Sequence, residues 1–316
     1  MTAPEKLAAI LAAVQTDPGG RGLAHDPHDN LFTATAGDFE RACRSIAEHP
    51  KRFLGIVTGF TVPTATPPAG ETDGPLGVVF LARALRDLCP VAVWTDANSV
   101  NGLGVGLDTA AADCSHFTIP PASAPWPMIL ADEWRPWLEG LRLRPPLSHL
   151  IAVERVGPSW ADGRCYSMRG NDITDQTPPA HHLFDETARF APDVTQIGIG
   201  DGGNEIGMGR VPWATIARNI PNGNRIACRV RTHQTIVAGV SNWGAYALAA
   251  GVFVLRGVRP PDDLFDPDRE REILEVMVRE GPLVDGVTGQ QTATVDGLTW
   301  GEYAKPLIRI REILAS

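Results

Sequence analysis

Short apolar runs alternate with segments of helical period along most of this chain, and that alternation restricts its fold more than any other feature. The runs that read as strands are Phe53–Thr58, Val91–Thr95, Phe117–Ile119, Leu150–Val153, Val194–Ile199, Ile226–Val230 and Leu283–Val287. Helical segments lie between and around them: Leu7–Val14, Leu76–Cys89, Gly102–Ala112, Glu133–Leu143, His181–Phe190, Trp213–Asn219, Asp268–Arg279 and Tyr303–Leu314. Leu76–Cys89 places Val78, Leu81, Leu85 and Leu88 on one face. Such alternation predicts an α/β fold, a mostly parallel sheet with helices on both faces in a three-layer, Rossmann-like arrangement. We expect a single domain over residues 1–316, with the Pro-rich stretch Thr118–Pro127 as a loop or subdomain boundary.

The composition excludes several classes of function. A net charge of −9, with no Lys/Arg run, disfavours nucleic-acid binding. Ile236–Leu255 carries no charge but contains Ser241, Asn242 and several glycines, so a buried core helix is expected there and not a membrane span. Glu5 precedes the apolar Leu7–Val14 without a basic region, which reads as an amphipathic helix and not a signal peptide. The five cysteines are scattered, as in reduced thiols, and point to a cytoplasmic protein. Homo-oligomerisation is left open.

In open α/β sheets, ligands bind beyond the carboxyl ends of the strands. The predicted strands end in polar clusters: Thr58-Gly59-Phe60, Thr95-Asp96-Ala97-Asn98, Glu154-Arg155, Gly200 to Glu205, Arg231-Thr232-His233 and Asp285 to Thr288. Glu71-Thr72-Asp73-Gly74 opens a helix. Any one of these could be a cap or a turn. A parallel sheet would gather them on one rim, where Thr58, Gly59, Thr72, Asp285 and Thr288 become candidates for substrate binding.

The stretch Thr195–Gly209 is the strongest of these clusters. It sets Asp201, Glu205 and Asn204 among closely spaced glycines. Gly198-x-Gly200-x-x-Gly203 matches the dinucleotide fingerprint. A pyrophosphate, however, needs a helix N-terminus free of competing anions, so no nucleotide is expected. The charge calls for an ammonium group or a divalent ion such as Mg²⁺ or Mn²⁺, with Asp201, Glu205 and Asp96 as candidate ligands. Gly202, Gly203 and Asn204 are further candidates for substrate contact. Arg169 beside Gly170 is placed to grip a carboxylate. His25-x-x-His28-Asp29 reads as a surface loop and His181-His182 as a helix terminus, leaving His233 as the histidine of interest. No serine-hydrolase elbow, H-E-x-x-H motif or P-loop is present.

Thr58-Gly-Phe, Glu71-Thr-Asp-Gly-Pro75, Glu154-Arg-x-Gly157, Tyr166-x-Met-Arg-Gly170 and Gly198-x-Gly-Asp-Gly-Gly-Asn-Glu-Ile-Gly-Met-Gly209 together resemble the D-glutamate cyclase family. That family includes the C-terminal domain of the animal mitochondrial enzyme and stand-alone bacterial relatives. The likeness runs from Arg52 to the C-terminus. The extra N-terminal domain of the animal form and a mitochondrial transit peptide are expected to be absent. The resemblance implies a hydro-lyase that closes D-glutamate, a small acidic amino acid, to 5-oxo-D-proline with loss of water. That reaction needs a base for the α-amine, with Asp201, Glu205 and Asp73 as candidates. It needs a metal or a cationic side chain to polarise the γ-carboxylate. It needs an acid for the leaving oxygen, a role suited to a buried Glu154. Arg169 would clamp a carboxylate. The competing expectations are a binding protein without turnover and a nucleotide-dependent enzyme using the glycine loop.

Overall fold

The computed structural model describes residues 1–121 and 147–316. The expected helix Glu133–Leu143 and most of the Pro-rich stretch lie outside the described residues. Strand β1 (Leu54–Thr58) is followed by a two-stranded antiparallel ladder, β2 (Thr61–Val62) with β3 (Ala69–Gly70). Then come β4 (Val91–Thr95), β5 (Ser115–Thr118), β6 (His149–Val153), β7 (Thr195–Gly200) and β8 (Gln234–Val237). Apart from β2 and β3 these form one sheet in the order β5-β4-β1-β6-β7-β8, with every pair parallel. The chain builds outward from β1 to β5, returns to lay β6 against the other side of β1, and then builds outward the other way. The reversal falls between β1 and β6, and crevices for ligands open beyond the carboxyl ends at such a point.

Alternate residues of each strand enter opposite cores. Ile56, Ile151, Ile197 and Ile199 pack under one layer of helices, while Val57, Leu150 and Ala152 pack under the other. The first layer centres on the helix Ser241–Arg256, which is buried from Ser241 to Phe253. It is flanked by Ala3–Val14, Asp38–Glu48, Pro75–Leu85 and Lys305–Ala315. The second layer uses Leu183 and Phe184 of the helix His181–Phe190 and Ile216 of Trp213–Asn219. This is the three-layer α/β arrangement expected from the alternation. No helix among the described residues is long and apolar enough to cross a membrane.

Two expected strands are not strands. Ile226–Val230 begins at the end of a helical turn, Gly223–Ile226, and then runs as irregular chain whose apolar residues join the second core. Burial alone cannot tell such a run from a strand. The sixth strand of the sheet is β8, so the uncharged stretch Ile236–Leu255 comprises a strand, a turn and a helix. His233 therefore lies at the amino end of β8, where its Nδ1 accepts the Gln196 N–H at 2.9 Å, on the rim opposite the carboxyl ends. Among the described residues, Leu283–Val287 makes a single bridge, Glu71 to Val284. The reason is Asp285: its carboxylate accepts the N–H groups of Val287, Thr288 and Gly297, which curls the chain into a turn.

The glycines of Thr195–Gly209 allow backbone to cross backbone. A Cβ on Gly198 would lie 2.6 Å from Gly207 Cα and 2.6 Å from the Ile206 oxygen. The loop after β7 thus folds back directly over its own strand. Gly198→Ala is expected to destabilise the chain by about 1–3 kcal/mol through overpacking, read as a lower urea midpoint; an unchanged midpoint would contradict this crossing.

Candidate active site

Three carboxyl groups meet beyond the carboxyl ends of β1, β6 and β7. Each of Asp73, Glu154 and Asp201 is buried, and an oxygen of each lies within 4.8 Å of the others. Asp73 arrives on the turn before the helix Pro75–Leu85, but its carboxylate mainly serves a different helix. Oδ1 accepts the Asn242 N–H at 2.8 Å and Oδ2 the Ser241 N–H at 3.0 Å, at the start of Ser241–Arg256. Asn242 returns the favour: its Oδ1 accepts the N–H groups of Gly74 and Gly77 at 2.8 and 2.7 Å. Each helix is capped by a side chain of the other, which satisfies orphan N–H donors on both and fixes the two N-termini side by side.

Glu154 directly follows β6 with φ at +44°, a left-handed backbone that costs a non-glycine residue energy and orients its side chain. Its Oε2 accepts the Ser241 hydroxyl at 2.5 Å. Asp201 directly follows β7 and meets Arg21 Nη1 at 2.6 Å. Arg21 comes from the N-terminal loop; its Nη2 lies 2.9 Å from Asp296, and Nη1 also donates to the Gly239 oxygen at 3.1 Å. Glu71 is buried alongside.

The charges are unbalanced. Glu71, Asp73, Glu154, Asp201 and Asp296 all interact with Arg21. Burial, reinforced by Asp296, raises Asp73 to about 7, although backbone donors oppose the shift. Burial and then Glu205 and Asp73 push Glu154 well above the usual carboxyl range. Asp201 is pulled both ways: burial and Glu154 raise it, Arg21 lowers it, and the net direction is upward. Burial opposes the Arg21 charge, but Asp201 and Asp296 outweigh it and hold the guanidinium protonated. Such a site calls for protons or for another cation. The all-oxygen donor set of Asp73, Glu154 and Asp201 fits a hard dication such as Mg²⁺ or Mn²⁺, while the Arg21 charge beside Asp201 works against one.

Glu205 and Asp96 do not join this group. The Glu205 carboxylate turns inward to accept the N–H groups of Asp201 and Gly203 at 2.9 and 2.7 Å. It occupies the very donors a phosphate would need, which removes the physical basis for a nucleotide at this loop. Asp96 is held by Arg155 at 2.6 Å in a fully buried ion pair, and Arg155 also donates to the oxygens of Gly59 and Pro178. Both acids were expected at the metal, but each already serves a protein partner.

The other expected residues form walls and supports. The Thr58 hydroxyl is buried without a partner among the described residues. A Cβ on Gly74 would lie 2.6 Å from it and 2.8 Å from Glu154 Cβ, so Thr58 and Glu154 border the same narrow space. The Thr72 hydroxyl donates to the Thr294 oxygen, two residues before Asp296. Asn204 Nδ2 donates to the Tyr166 oxygen, leaving Oδ1 buried and unsatisfied. A Cβ on Gly202 would meet Met168 Sδ at 2.4 Å, which ties the Tyr166–Gly170 loop to the one after β7; Gly170 and Gly203 both have positive φ. Arg169 is exposed and donates to the Val287 oxygen at 2.8 Å. The backbone donors taken by Asp285 leave its carboxylate a loop organiser, with Thr288 as one of those donors. A separate group, His181, His182 and Asp185, has ligand atoms within 4.8 Å of one another. Burial lowers both imidazoles and Arg229 adds to the effect.

Arg21, Asp296, Ser241 and Asn242 were not foreseen. Arg21 did leave a trace, since Gly19-Gly20-Arg21-Gly22 repeats the arginine-with-glycine pattern that drew attention to Arg169.

Burial, then Glu154, Asp296 and Asp73, raises Glu71 well above its ordinary 4.5. The folded chain therefore keeps this proton at pH values where the unfolded chain has lost it. Its contribution to stability is complete below the unfolded value and is lost as pH rises through the folded one. Glu71→Gln is expected to leave stability at pH 4 nearly unchanged and to raise it at pH 8 by about 1 kcal/mol or more. Urea midpoints at the two pH values check this, and equal effects at both would contradict it.

Comparison with known proteins adds the family. The human protein "D-glutamate cyclase, mitochondrial" is 33% identical over 258 residues, which is 81% of this chain and 40% of the human protein. The chain therefore matches less than half the length of that relative. The family described as "D-glutamate cyclase-like, C-terminal" matches residues 10–311, starting well before Arg52 and including Arg21. The chain belongs to this D-glutamate cyclase-like, C-terminal family.

Proposed function

We propose that this protein closes D-glutamate to 5-oxo-D-proline with loss of water. The observation that carries the reading is the convergence of Asp73, Glu154 and Asp201 at the sheet's reversal point, in a chain of this family. The substrate's α-ammonium enters a pocket rich in carboxyl groups. Asp201, whose proton affinity burial raises and whose charge Arg21 pairs, takes a proton from the ammonium. Glu154, raised further and anchored through one oxygen by Ser241, holds a proton for the leaving oxygen. Asp73, fixed by the helix N-terminus, orients the amine. A Mg²⁺ or Mn²⁺ ion held by Asp73, Glu154 and Asp201 would add Lewis-acid polarisation of the γ-carboxyl group.

The α-carboxylate then points outward, toward Arg169 at the rim. Thr58 and Asn204 offer unsatisfied polar atoms to the substrate. Gly59, Thr72, Gly170, Gly202, Gly203, Asp285 and Thr288 shape the surrounding loops.

Incubation with D- and L-glutamate, with and without Mg²⁺ or Mn²⁺, should yield 5-oxoproline from the D enantiomer, resolved by chiral chromatography. Absence of product under every condition rejects the reaction. Asp201→Asn is expected to lower kcat by about 10²–10⁴ with little change in thermal midpoint. An unchanged kcat would clear Asp201 of the base role.

A further inference from the structure

The proposed reaction makes one demand that its three acids cannot meet. The γ-carboxylate is an anion, it must approach buried carboxyl groups, and it must become electrophilic. The geometry points to Arg21 as the residue that binds and polarises the γ-carboxylate. The inference rests on the proposed reaction for its chemistry; the binding of a carboxylate by Arg21 stands on the geometry alone.

Arg155 and Arg169 do not reach the cluster of acids. Arg155 is fully buried and bonded to Asp96, Gly59 and Pro178. Arg169 is exposed at the rim on the Val287 oxygen. Arg21 sits among the acids, with its side chain 15% exposed. A guanidinium has five N–H donors. Nη1 donates to Asp201 and Gly239, while Nη2 lies 2.9 Å from Asp296 Oδ2 as an ion pair. Among the described residues the Nε–H donates to no partner, and Nη2 meets Asp296 alone. Nε and Nη2 share one edge of the guanidinium, the edge that takes a carboxylate with two parallel hydrogen bonds.

The loop that carries Arg21 is built to hold still. The Asp17 carboxylate accepts the N–H groups of Arg21, Gly22 and Leu23. Gly22 has φ at +94°, and a Cβ there would lie 2.2 Å from the Asn219 oxygen. A donor pair held this way is in place before charge develops on the substrate.

The chemistry balances without a further reactant. The α-ammonium gives one proton to Asp201, and its nitrogen forms a bond to the γ-carbon. The γ-carboxyl oxygens carry the negative charge beside Arg21. One C–O bond then breaks, with the oxygen leaving as water. Its two hydrogens derive from the two N–H protons lost by the nitrogen, relayed through Asp201 and Glu154. The lactam keeps the third N–H.

The test compares D-glutamate with D-glutamine, whose γ-carboxamide is neutral and closes to the same lactam with loss of ammonia. For wild type, Arg21→Met and Arg21→Lys, kcat/KM is measured for D-glutamate. D-Glutamine is followed as a substrate or, where it is not turned over, as a competitive inhibitor. Arg21→Met is expected to lower kcat/KM for D-glutamate at least 100-fold and to cut the preference for D-glutamate over D-glutamine at least tenfold. Arg21→Lys, which keeps the charge but loses the two-pronged edge, should recover part of that preference. It also carries the comparison alone, with at least a threefold loss expected, should the Met variant not fold. An unchanged preference overturns the inference. If the wild type turns over neither compound, calorimetric affinities replace the kinetics. An Arg21-dependent preference for D-glutamate would then uphold Arg21 while rejecting the cyclase reading, and no such preference would reject both.

Discussion

Carboxyl groups buried without enough opposing charge, at the place where the strand order reverses, are the constraint on which this structure turns. Isolated in a protein interior such groups would be costly. Here three of them have protein partners. Asp73 is held by two helix N-terminal N–H groups, Glu154 by the Ser241 hydroxyl and Asp201 by Arg21. These bonds compensate in part, and the remaining imbalance favours added protons or positive charge at this place. Upward-shifted carboxyl groups clustered in a crevice are a mark of functional sites.

The scaffold around them is rigid where it must be. The reciprocal capping by Asp73 and Asn242 locks two helices that follow different strands, so Asp73 and Ser241, the partner of Glu154, cannot move apart without uncapping both. Beneath the rim, the Arg155–Asp96 pair ties the end of β6 to the end of β4. After β7, Glu205 fills its own turn from inside and holds the Asp201 backbone in place. Glu205, expected among the reacting groups, thus serves as a support for the Asp201 backbone. The same substitution of internal carboxylate for external phosphate explains how a dinucleotide-like glycine pattern can occur with its backbone donors already taken.

Much of this was legible in the sequence. Strand β4 and the helices His181–Phe190 and Trp213–Asn219 fall where the pattern of apolar residues puts them, because period and length distinguish buried strands from helices. The polar residues after Thr58, Thr95, Val153 and Gly200 do collect on one rim, as a parallel sheet requires. Ile226–Val230 and Leu283–Val287 misled because an apolar run records burial and not the presence of a neighbouring strand. Their error carried His233 to the wrong end of the sheet and set Asp285 at a strand end, where its carboxylate instead gathers the N–H groups of its own turn.

The amino-acid sequence by itself determined the layer architecture, the family and the rim on which ligand chemistry would sit, since local period and strand ends are properties of neighbouring residues. Only the tertiary structure decided which acids meet. Asp73 and Asp201 are far apart in the chain, Arg21 reaches Asp201 from 180 positions away, and Asp296 comes from a loop near the C-terminus. Glu205 and Asp201, four residues apart and alike in sequence, face opposite fates because one carboxylate points into its own turn and the other toward a guanidinium. Charge pairing acts through space, and the chain order does not record it.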